Sequence, residues 1–316
     1  MYTHMPESDY SSLFNGDHRA LAKAISMVED GDSRVEALLT SVYSKTGRAI
    51  VIGVTGHPGT GKSTLVDGMI GEYRKMGKSV GVLAIDPSSP FTGGALLGDR
   101  IRMIRHSLDS DVFIRSMASR DGSGGLARAT RKTISLLDAS GKDVVIIETV
   151  GAGQSEVDVI RVSDTVVVVT MPGLGDEIQT SKAGLLEIGH IFVVNKSDLD
   201  GADKMVVQLM NNVKERDGWR PPIITSSFKK SRGLGELMEA LSLREQHLSR
   251  YRNSNLRKYQ ITKEILELIG IRLGQIAESR INQTPDFQEL IDKAFRKEID
   301  PEQVADIISS KLSENL

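Results

Sequence analysis

Residues 49–64 read Ala-Ile-Val-Ile-Gly-Val-Thr-Gly-His-Pro-Gly-Thr-Gly-Lys-Ser-Thr, and the helical pattern LVDGMIGEYRKMG follows at residues 65–77. An apolar run of strand length therefore leads through a glycine-rich loop into a helix, which is the context that supports a Gly-x-x-x-x-Gly-Lys-Ser motif. Glycines let the backbone curl so that successive N–H groups point into one concavity, and the helix adds the positive end of its dipole. This stretch predicts a binding site for the phosphates of a nucleotide.

Two side chains of this loop have distinct expected roles. The Lys62 ammonium is expected to place its charge on the β- and γ-phosphates, and the Ser63 hydroxyl is a hard oxygen ligand for Mg²⁺. The rest of the predicted phosphate-binding set consists of Gly56, Pro58, Gly59, Thr60, Gly61 and Thr64.

Strand-like and helical patterns alternate between residues 49 and 228. The strand-like runs are rich in Val and Ile with little polar alternation, as expected of parallel strands that are covered on both faces. Because strand–helix–strand repetition implies right-handed crossovers, the pattern predicts a doubly wound, mostly parallel α/β sheet. The predicted strands are Ala49–Thr55, Val80–Ile85, Val112–Ile114, Val144–Ile147, Thr165–Thr170, Ile191–Asn195 and Ile223–Thr225.

Helical patterns flank this alternating region on both sides. We expect an N-terminal helical arm at residues 1–47, a nucleotide-binding domain at 48–250 and a C-terminal helical arm at 251–316. A long segment near Leu256–Ile281 carries one apolar stripe. That stripe is suited either to packing on the sheet or to burial against a second copy of the chain.

Composition excludes several classes of function. The chain has 316 residues, a formal net charge of −2 and no cysteine. Near-neutral charge argues against a nucleic-acid or membrane-surface footprint, and the lack of cysteine excludes disulfides, thiol catalysis and Cys-ligated zinc. The N-terminal residues carry no signal-peptide pattern, and the longest apolar runs are far too short for a membrane span. We therefore expect a soluble cytoplasmic protein that binds neither nucleic acid nor membrane.

The motif Asn-Lys-Ser-Asp follows a buried strand and ends at Asp198. A carboxylate at this place can accept the N1–H and the exocyclic amino group of guanine, a donor pair that adenine lacks. Asn195 is expected to tie the base loop to the phosphate loop, and the Lys196 stem to cover the base. Ser226 and Ser227 follow the next strand, where a backbone N–H can meet guanine O6. These residues favour GTP over ATP.

Further polar residues follow other strands and are candidates for sensing the γ-phosphate. Glu148 and Gly151 stand where small GTPases carry Asp-x-x-Gly, so Glu148 is expected to hold Mg²⁺ through water and the Gly151 N–H to contact the γ-phosphate. Asp86 closes the second strand and is our candidate for positioning the attacking water or a metal-bound water. Either acid could instead be a cap or a surface residue. Gln154 suits orientation of a water or a helix start, and Lys182 suits a charge contact or a solvated face.

The sequence resembles one family closely: the P-loop GTPases that accompany coenzyme-B12-dependent acyl-CoA mutases, the MeaB/ArgK type. The resemblance is carried by GHPGTGKST, AIDPSSPFTGGALLGDRIRM, GGLARAT, ETVGAGQSE, MPGLGDEIQTSKAGLLEI and NKSD, between about residues 50 and 200. It implies a homodimeric GTPase that uses GTP, GDP and Mg²⁺ and dimerises through the C-terminal arm. It also implies a chaperone that binds the mutase, gates cobalamin loading and protects or reactivates the enzyme.

The resemblance implies the same roles for seven of these residues, and it implies three nucleotide-responsive loops. The seven are Lys62 and Ser63 at the phosphates and Mg²⁺, Asp86 and Glu148 at the metal and water, and Asn195, Lys196 and Asp198 at guanine. Because a GTPase without its activator is often slow, we expect slow hydrolysis until the partner stimulates it. Two alternatives remain open from the sequence: a metallochaperone GTPase, which shares the sheet and phosphate loop, and a protein kinase linked to amino-acid transport. The destination of the γ-phosphate, water or a protein, distinguishes hydrolysis from kinase activity.

Overall fold

The computed structural model divides the chain into two compact units, Met1–Leu248 and Ser249–Leu316. Both units contain a hydrophobic core of their own. None of the helices in the described ranges is long and apolar enough to cross a membrane. The ranges that the structure describes are 11–86, 104–106, 108–118, 125–149, 162–174, 183–230, 232–250 and 255–313.

A seven-stranded sheet forms the centre of the first unit. Its strands are β1 (Ile50–Thr55), β2 (Val80–Asp86), β3 (Val112–Ala118), β4 (Val144–Thr149), β5 (Thr165–Thr170), β6 (Ile191–Val194) and β7 (Ile223–Thr225). They lie in the order β3-β2-β4-β1-β5-β6-β7, and every neighbouring pair is parallel. The predicted doubly wound α/β class and all seven predicted strands are confirmed.

Helices cover both faces of this sheet. They are α1 (Ser11–Phe14), α2 (His18–Glu29), α3 (Arg34–Val42), α4 (Lys62–Lys75), α5 (Gly125–Ala139), α6 (Ala183–Ile188), α7 (Ala202–Asn212) and α8 (Leu234–Ser249). Leu65 of α4 and Leu237 of α8 are buried in the core on one face. Leu21 of α2 and Leu136 of α5 are buried in the core on the other face. Strands covered in this way explain why the sequence shows apolar runs rather than alternation.

Two carboxylates, one buried and one half-buried, fix the start of β1 in the middle of the sheet. Asp138, in the last turn of α5, accepts hydrogen bonds from the backbone N–H groups of Gly47 at 2.5 Å and Ala49 at 3.0 Å. Asp164 accepts the N–H of Val51 at 2.9 Å. These contacts satisfy backbone donors around the start of the strand. They hold β1, and with it the loop that follows β1, in a defined position.

The second unit is helical and consists of α9 (Asn255–Gln283), α10 (Pro285–Phe295) and α11 (Pro301–Ser313). Phe287, Val304 and Ile308 form its core. With 29 residues, α9 spans about 44 Å and carries exposed apolar side chains along much of its length. These side chains are Ile261, Ile265, Leu266, Leu268, Ile269, Leu273 and Ile276. The division of the chain into two arms and a central domain at residues 47 and 250 stays a prediction.

Candidate functional site

The loop between β1 and α4 depends on glycine at two positions. Gly56, at a φ angle of 142°, passes so close to β5 that a Cβ atom there would lie 2.0 Å from the carbonyl oxygen of Val169. Gly61, at a φ angle of 98°, would place a Cβ atom 2.4 Å from Nδ2 of Asn195. A side chain at either position would push the loop off the strands below it. The close approach explains why the sequence has glycine at both positions.

The Lys62 ammonium lies against the inner carbonyl groups of this loop. Its Nζ donates to the carbonyl oxygen of Gly56 at 2.8 Å and to that of His57 at 3.0 Å. Buried Thr60 donates its hydroxyl to the same His57 oxygen at 2.8 Å. A cation beside a helix N-terminus is a favourable arrangement for anionic phosphate groups. The remaining predicted loop residues are exposed: Pro58, Gly59 and Thr64.

Ser63 and Glu148 meet beneath the loop. The Ser63 hydroxyl donates to Oε1 of Glu148 at 2.6 Å, and both side chains are buried. The β1–β4 register pairs Val54 with Glu148, which brings the carboxylate to the side of the loop although the two residues lie far apart in the sequence. A hydroxyl and a carboxylate are hard oxygen donors, so this pair fits the ligand chemistry of Mg²⁺.

The other predicted catalytic residues lie largely outside the described part of the chain. Asp86 is the last residue of β2, but its side chain is outside the described residues, as are Gly151, Gln154 and Lys182 entirely. The backbone of β2 places Ile85 beside Thr149 of β4, so Asp86 lies at the same edge of the sheet as the phosphate loop. The roles of these four residues stay predictions.

Asn195 joins the base loop to the phosphate loop. Its Nδ2 donates to the carbonyl oxygen of Thr60 at 2.7 Å, and its Oδ1 accepts from the Ser226 hydroxyl at 3.3 Å. The side chain is 5% exposed. Lys196 next to it has a φ angle of 55°, in the left-handed region, which directs the chain sharply away from the end of β6. The loops expected to bind base and phosphates are thus physically linked.

The Asp198 carboxylate is held by two residues that follow β7. Ser227 donates its hydroxyl to Oδ1 at 2.7 Å, and the Lys230 ammonium lies 3.4 Å from Oδ2. The Ser227 hydrogen bond, with a smaller contribution from Lys230, lowers the pKa of Asp198. The carboxylate is therefore ionised at neutral pH. It is also exposed, and an acceptor for two guanine N–H groups needs both properties.

The structure corrects one detail of the base-binding prediction. The Ser226 N–H donates to the carbonyl oxygen of Val194 at 2.8 Å, because it continues the β6–β7 ladder. The Ser227 N–H donates to the carbonyl oxygen of Arg232 at 3.2 Å and closes the following turn. Both backbone donors are thus engaged within the protein. The two serines support the base loop through their hydroxyls instead.

Sequence reasoning missed Lys230 and the threonine pair at the ends of β1 and β4. Lys230 lies three residues beyond Ser227, and only its position after a strand could have drawn attention to it. Thr149 donates its hydroxyl to that of Thr55 at 3.1 Å, with both residues almost fully buried. Thr55 ends a predicted strand and Thr149 lies just beyond another, and only the sheet register reveals their contact.

These contacts define a class of protein. A glycine loop leads into α4, a hydroxyl–carboxylate pair lies below it, and an Asn-Lys-Ser-Asp loop is tied to it through Asn195. This combination, on a parallel sheet, is that of a P-loop protein that binds guanine nucleotides.

Among the described side chains, no cluster of three or more His, Asp or Glu residues suited to a metal ion occurs.

Comparison with known proteins gives the family. Residues 21–280 match the family described as methylmalonyl-CoA mutase-associated GTPase MeaB. A protein of Pyrococcus abyssi named as a GTPase is 48% identical over 305 residues, which cover 94% of each chain. A mitochondrial mouse protein named methylmalonic aciduria type A homolog is 34% identical, over 73% of this chain and 61% of its own length.

A solved structure agrees with these relatives. The crystal structure of an LAO/AO transport system kinase is 25% identical, with a TM-score of 0.72, and the match covers 98% of this chain and all of that one. The chain therefore belongs to the MeaB family of P-loop GTPases. It binds guanine nucleotides and hydrolyses GTP to GDP and phosphate.

Proposed function

We propose that this GTPase is a chaperone of a coenzyme-B12-dependent acyl-CoA mutase of the methylmalonyl-CoA mutase type. In this role, GTP hydrolysis gates cobalamin loading and supports protection or reactivation of the mutase. The observation that carries the proposal is the match of residues 21–280 to a family described as mutase-associated. The name of the mouse relative refers to methylmalonic aciduria, which supports a client enzyme that acts on methylmalonyl-CoA.

The described residues support a division of labour within the site. Lys62 is proposed to bind the β- and γ-phosphates, since its ammonium already lies within the loop that would hold them. Ser63 and Glu148 are proposed to hold Mg²⁺, because their buried oxygens match its preference for hard donors. Mg²⁺ bound there would neutralise phosphate charge during hydrolysis. Asn195 and Asp198 are proposed to hold the guanine base.

The remaining site residues keep their predicted roles within this proposal. Asp86 positions the attacking water, the Gly151 N–H senses the γ-phosphate, and Gln154 and Lys182 act in nucleotide-responsive loops. Lys196 covers the base with its stem. A cytoplasmic location and a lack of nucleic-acid or membrane partners are part of the same proposal.

We also propose that the chain is a homodimer joined through α9. The exposed apolar side chains recur along this helix at spacings of three and four residues, for example at Ile265, Ile269, Leu273 and Ile276. Such a stripe on a 29-residue helix is suited to burial against the same stripe of a second copy.

The deciding experiment measures GTP hydrolysis by the purified protein alone and with a B12-dependent acyl-CoA mutase from the same organism. We expect the mutase to stimulate hydrolysis, and we expect the labelled γ-phosphate to appear as free phosphate. Lys62→Ala should lower the stimulated rate by at least about a hundredfold, because removing one charge-stabilising group typically costs that much. Its melting temperature, measured alongside, shows whether the fold is intact.

The outcomes separate the candidate functions. Hydrolysis that no mutase stimulates would contradict the chaperone proposal while leaving a GTPase. Transfer of the label to a protein would favour a kinase, the activity for which the solved relative is named. Stimulation by a metalloenzyme instead of the mutase would favour a metallochaperone. A normal rate in Lys62→Ala would contradict the assigned role of that ammonium.

A further inference from the structure

A hydrogen bond between two side chains joins β1 and β4 directly below the site. Thr149 Oγ1 donates to Thr55 Oγ1 at 3.1 Å, and the two residues are 0% and 1% exposed. The backbone register of these strands runs up to the pair Val54 and Glu148. The threonine contact therefore extends the pairing by one residue, to the point where both chains leave the sheet.

Each threonine is bonded covalently to a residue of the site. Gly56, the first residue of the phosphate loop, follows Thr55, and Glu148 precedes Thr149. Successive side chains of a strand point to opposite faces of the sheet. Glu148 faces the side of α4, where it meets Ser63. Thr149 accordingly faces the opposite side, where its strand neighbour Ile147 is part of the other core.

This arrangement means that the Thr149 hydroxyl acts on the site through the backbone alone. The 2.6 Å contact between Ser63 and Glu148 requires a fixed separation between the end of β4 and the loop after β1. The hydroxyl pair ties those two chain segments together at the adjacent position. In a buried environment, loss of one hydroxyl leaves the other without its partner, so the two strand ends lose a specific link.

We propose that Thr149 is a positioning residue for the Mg²⁺ site, which holds Glu148 at the correct distance from the phosphate loop by hydrogen bonding to Thr55. The proposal rests on the proposed role of Glu148 at Mg²⁺. Outer contacts that orient a ligand residue typically change metal affinity when they are removed. The expected effect therefore falls on Mg²⁺ dependence rather than on nucleotide binding in general.

The test compares Thr149→Val, which removes the hydroxyl and keeps the branched shape, with Thr149→Ser, which keeps a hydroxyl. The full-length protein is loaded with a fluorescent GDP analogue, and its release is followed over a range of Mg²⁺ concentrations and in excess chelator. Thr149→Val should need about tenfold more Mg²⁺ to slow release by half. Release in chelator should match the wild type, and Thr149→Ser should stay near wild type throughout.

Two further variants isolate the bond itself. Thr55→Val should produce a similar shift, and the double variant should be no worse than either single one, since all three lack the same hydrogen bond. Thr133→Val is the matched control, because Thr133 on α5 is fully buried and its hydroxyl has no partner among the described residues. Thr133→Val should leave the Mg²⁺ dependence unchanged.

The contrary results are distinct. If Mg²⁺ slows release from the wild type but Thr149→Val responds to Mg²⁺ as the wild type does, the positioning role is wrong and the Mg²⁺ site stands. If Thr133→Val shifts the Mg²⁺ dependence as much as Thr149→Val does, the effect is general loosening and the positioning role is also wrong. If release from the wild type ignores Mg²⁺, the proposed Mg²⁺ site fails and this proposal fails with it.

Discussion

The Asp198 carboxylate and the Asn195 amide each hold a defined position at the end of β6. Asp198 presents an ionised carboxylate to the solvent, and Ser227 and Lys230 hold it in place from the following loop. A base must offer two adjacent N–H donors to satisfy that carboxylate, and guanine does so while adenine does not. We therefore propose that guanine specificity depends on Asp198 and on the two residues that support it.

Replacing Asp198 with Asn should weaken the preference for GTP over ATP by about tenfold or more, because an amide offers one acceptor oxygen in place of two. Competition between the two nucleotides for the purified protein measures this preference. Asp200→Asn, which changes an exposed acid in the same loop, is the matched control and should behave as wild type. Unchanged discrimination in Asp198→Asn would refute the assignment.

At the residue scale, sequence patterns predicted that Asn195 joins the two loops, but not the atoms that make its contact or most other contacts within the site. Lys62, Ser63 and the Asn-Lys-Ser-Asp motif are contiguous strings whose chemistry is evident from residue type and order. The partners of those residues come from distant parts of the chain: Ser63 bonds to Glu148, and Asn195 bonds to Thr60. Such contacts depend on strand register, which no local pattern determines.

At the scale of elements, apolar runs predicted every strand of the sheet, but not always its length. β3 continues to Ala118 and β4 to Thr149, beyond the predicted ends at Ile114 and Ile147. Arg115, Ser116 and Glu148 interrupt the apolar pattern, so the sequence suggested earlier ends. Pairing with β2 satisfies the backbone of these extensions, and that pairing exists only in the assembled sheet.

The connection into β6 contains a histidine that stays neutral when folded. His190 Nδ1 accepts the N–H of Val166 at 2.9 Å, and burial, with smaller contributions from Arg244 and Arg216, lowers the pKa of His190 from 6.5 to about 3. The unfolded chain takes up a proton at this residue below about pH 6.5. The folded chain does not do so until about pH 3. Folding stability must therefore fall as the pH drops through this window.

Because of His190, we expect the free energy of unfolding to fall by about 1.4 kcal/mol for each pH unit below 6, down to about pH 3. Urea unfolding at pH 7, 6, 5 and 4 measures the dependence. His190→Asn is the comparison, because its side-chain oxygen can still accept the Val166 N–H but does not titrate. Parallel pH profiles for the two proteins would show that His190 does not contribute.

At the scale of the whole molecule, the described nucleotide-site residues lie in the first unit, and the long exposed stripe lies in the second. This separation suggests a division between hydrolysis and assembly. The sequence left two roles open for the C-terminal helices, packing on the sheet or pairing with another copy. An apolar stripe looks the same in both cases, which is why periodicity alone could not choose between them.

The double variant Ile265→Glu and Ile269→Glu should convert the proposed dimer to a monomer, since both positions are about half exposed and would place four carboxylates in the dimer interface. Sedimentation velocity measures the change. Glu278→Lys alters an exposed residue on the far side of the same helix by helical spacing and should leave the dimer intact. A monomeric wild type, or a dimeric double variant, would contradict assembly through α9.

Asn195 and Thr60 are separated by 135 positions in the chain, yet one amide contact makes their loops neighbours. The proposed base-binding loop and the phosphate loop therefore share one hydrogen bond. Engineering of this protein for an unnatural nucleotide therefore has to preserve that hydrogen bond. We expect an edit confined to Asp198 to change base recognition alone, whereas an edit at Asn195 also removes the contact with the phosphate loop.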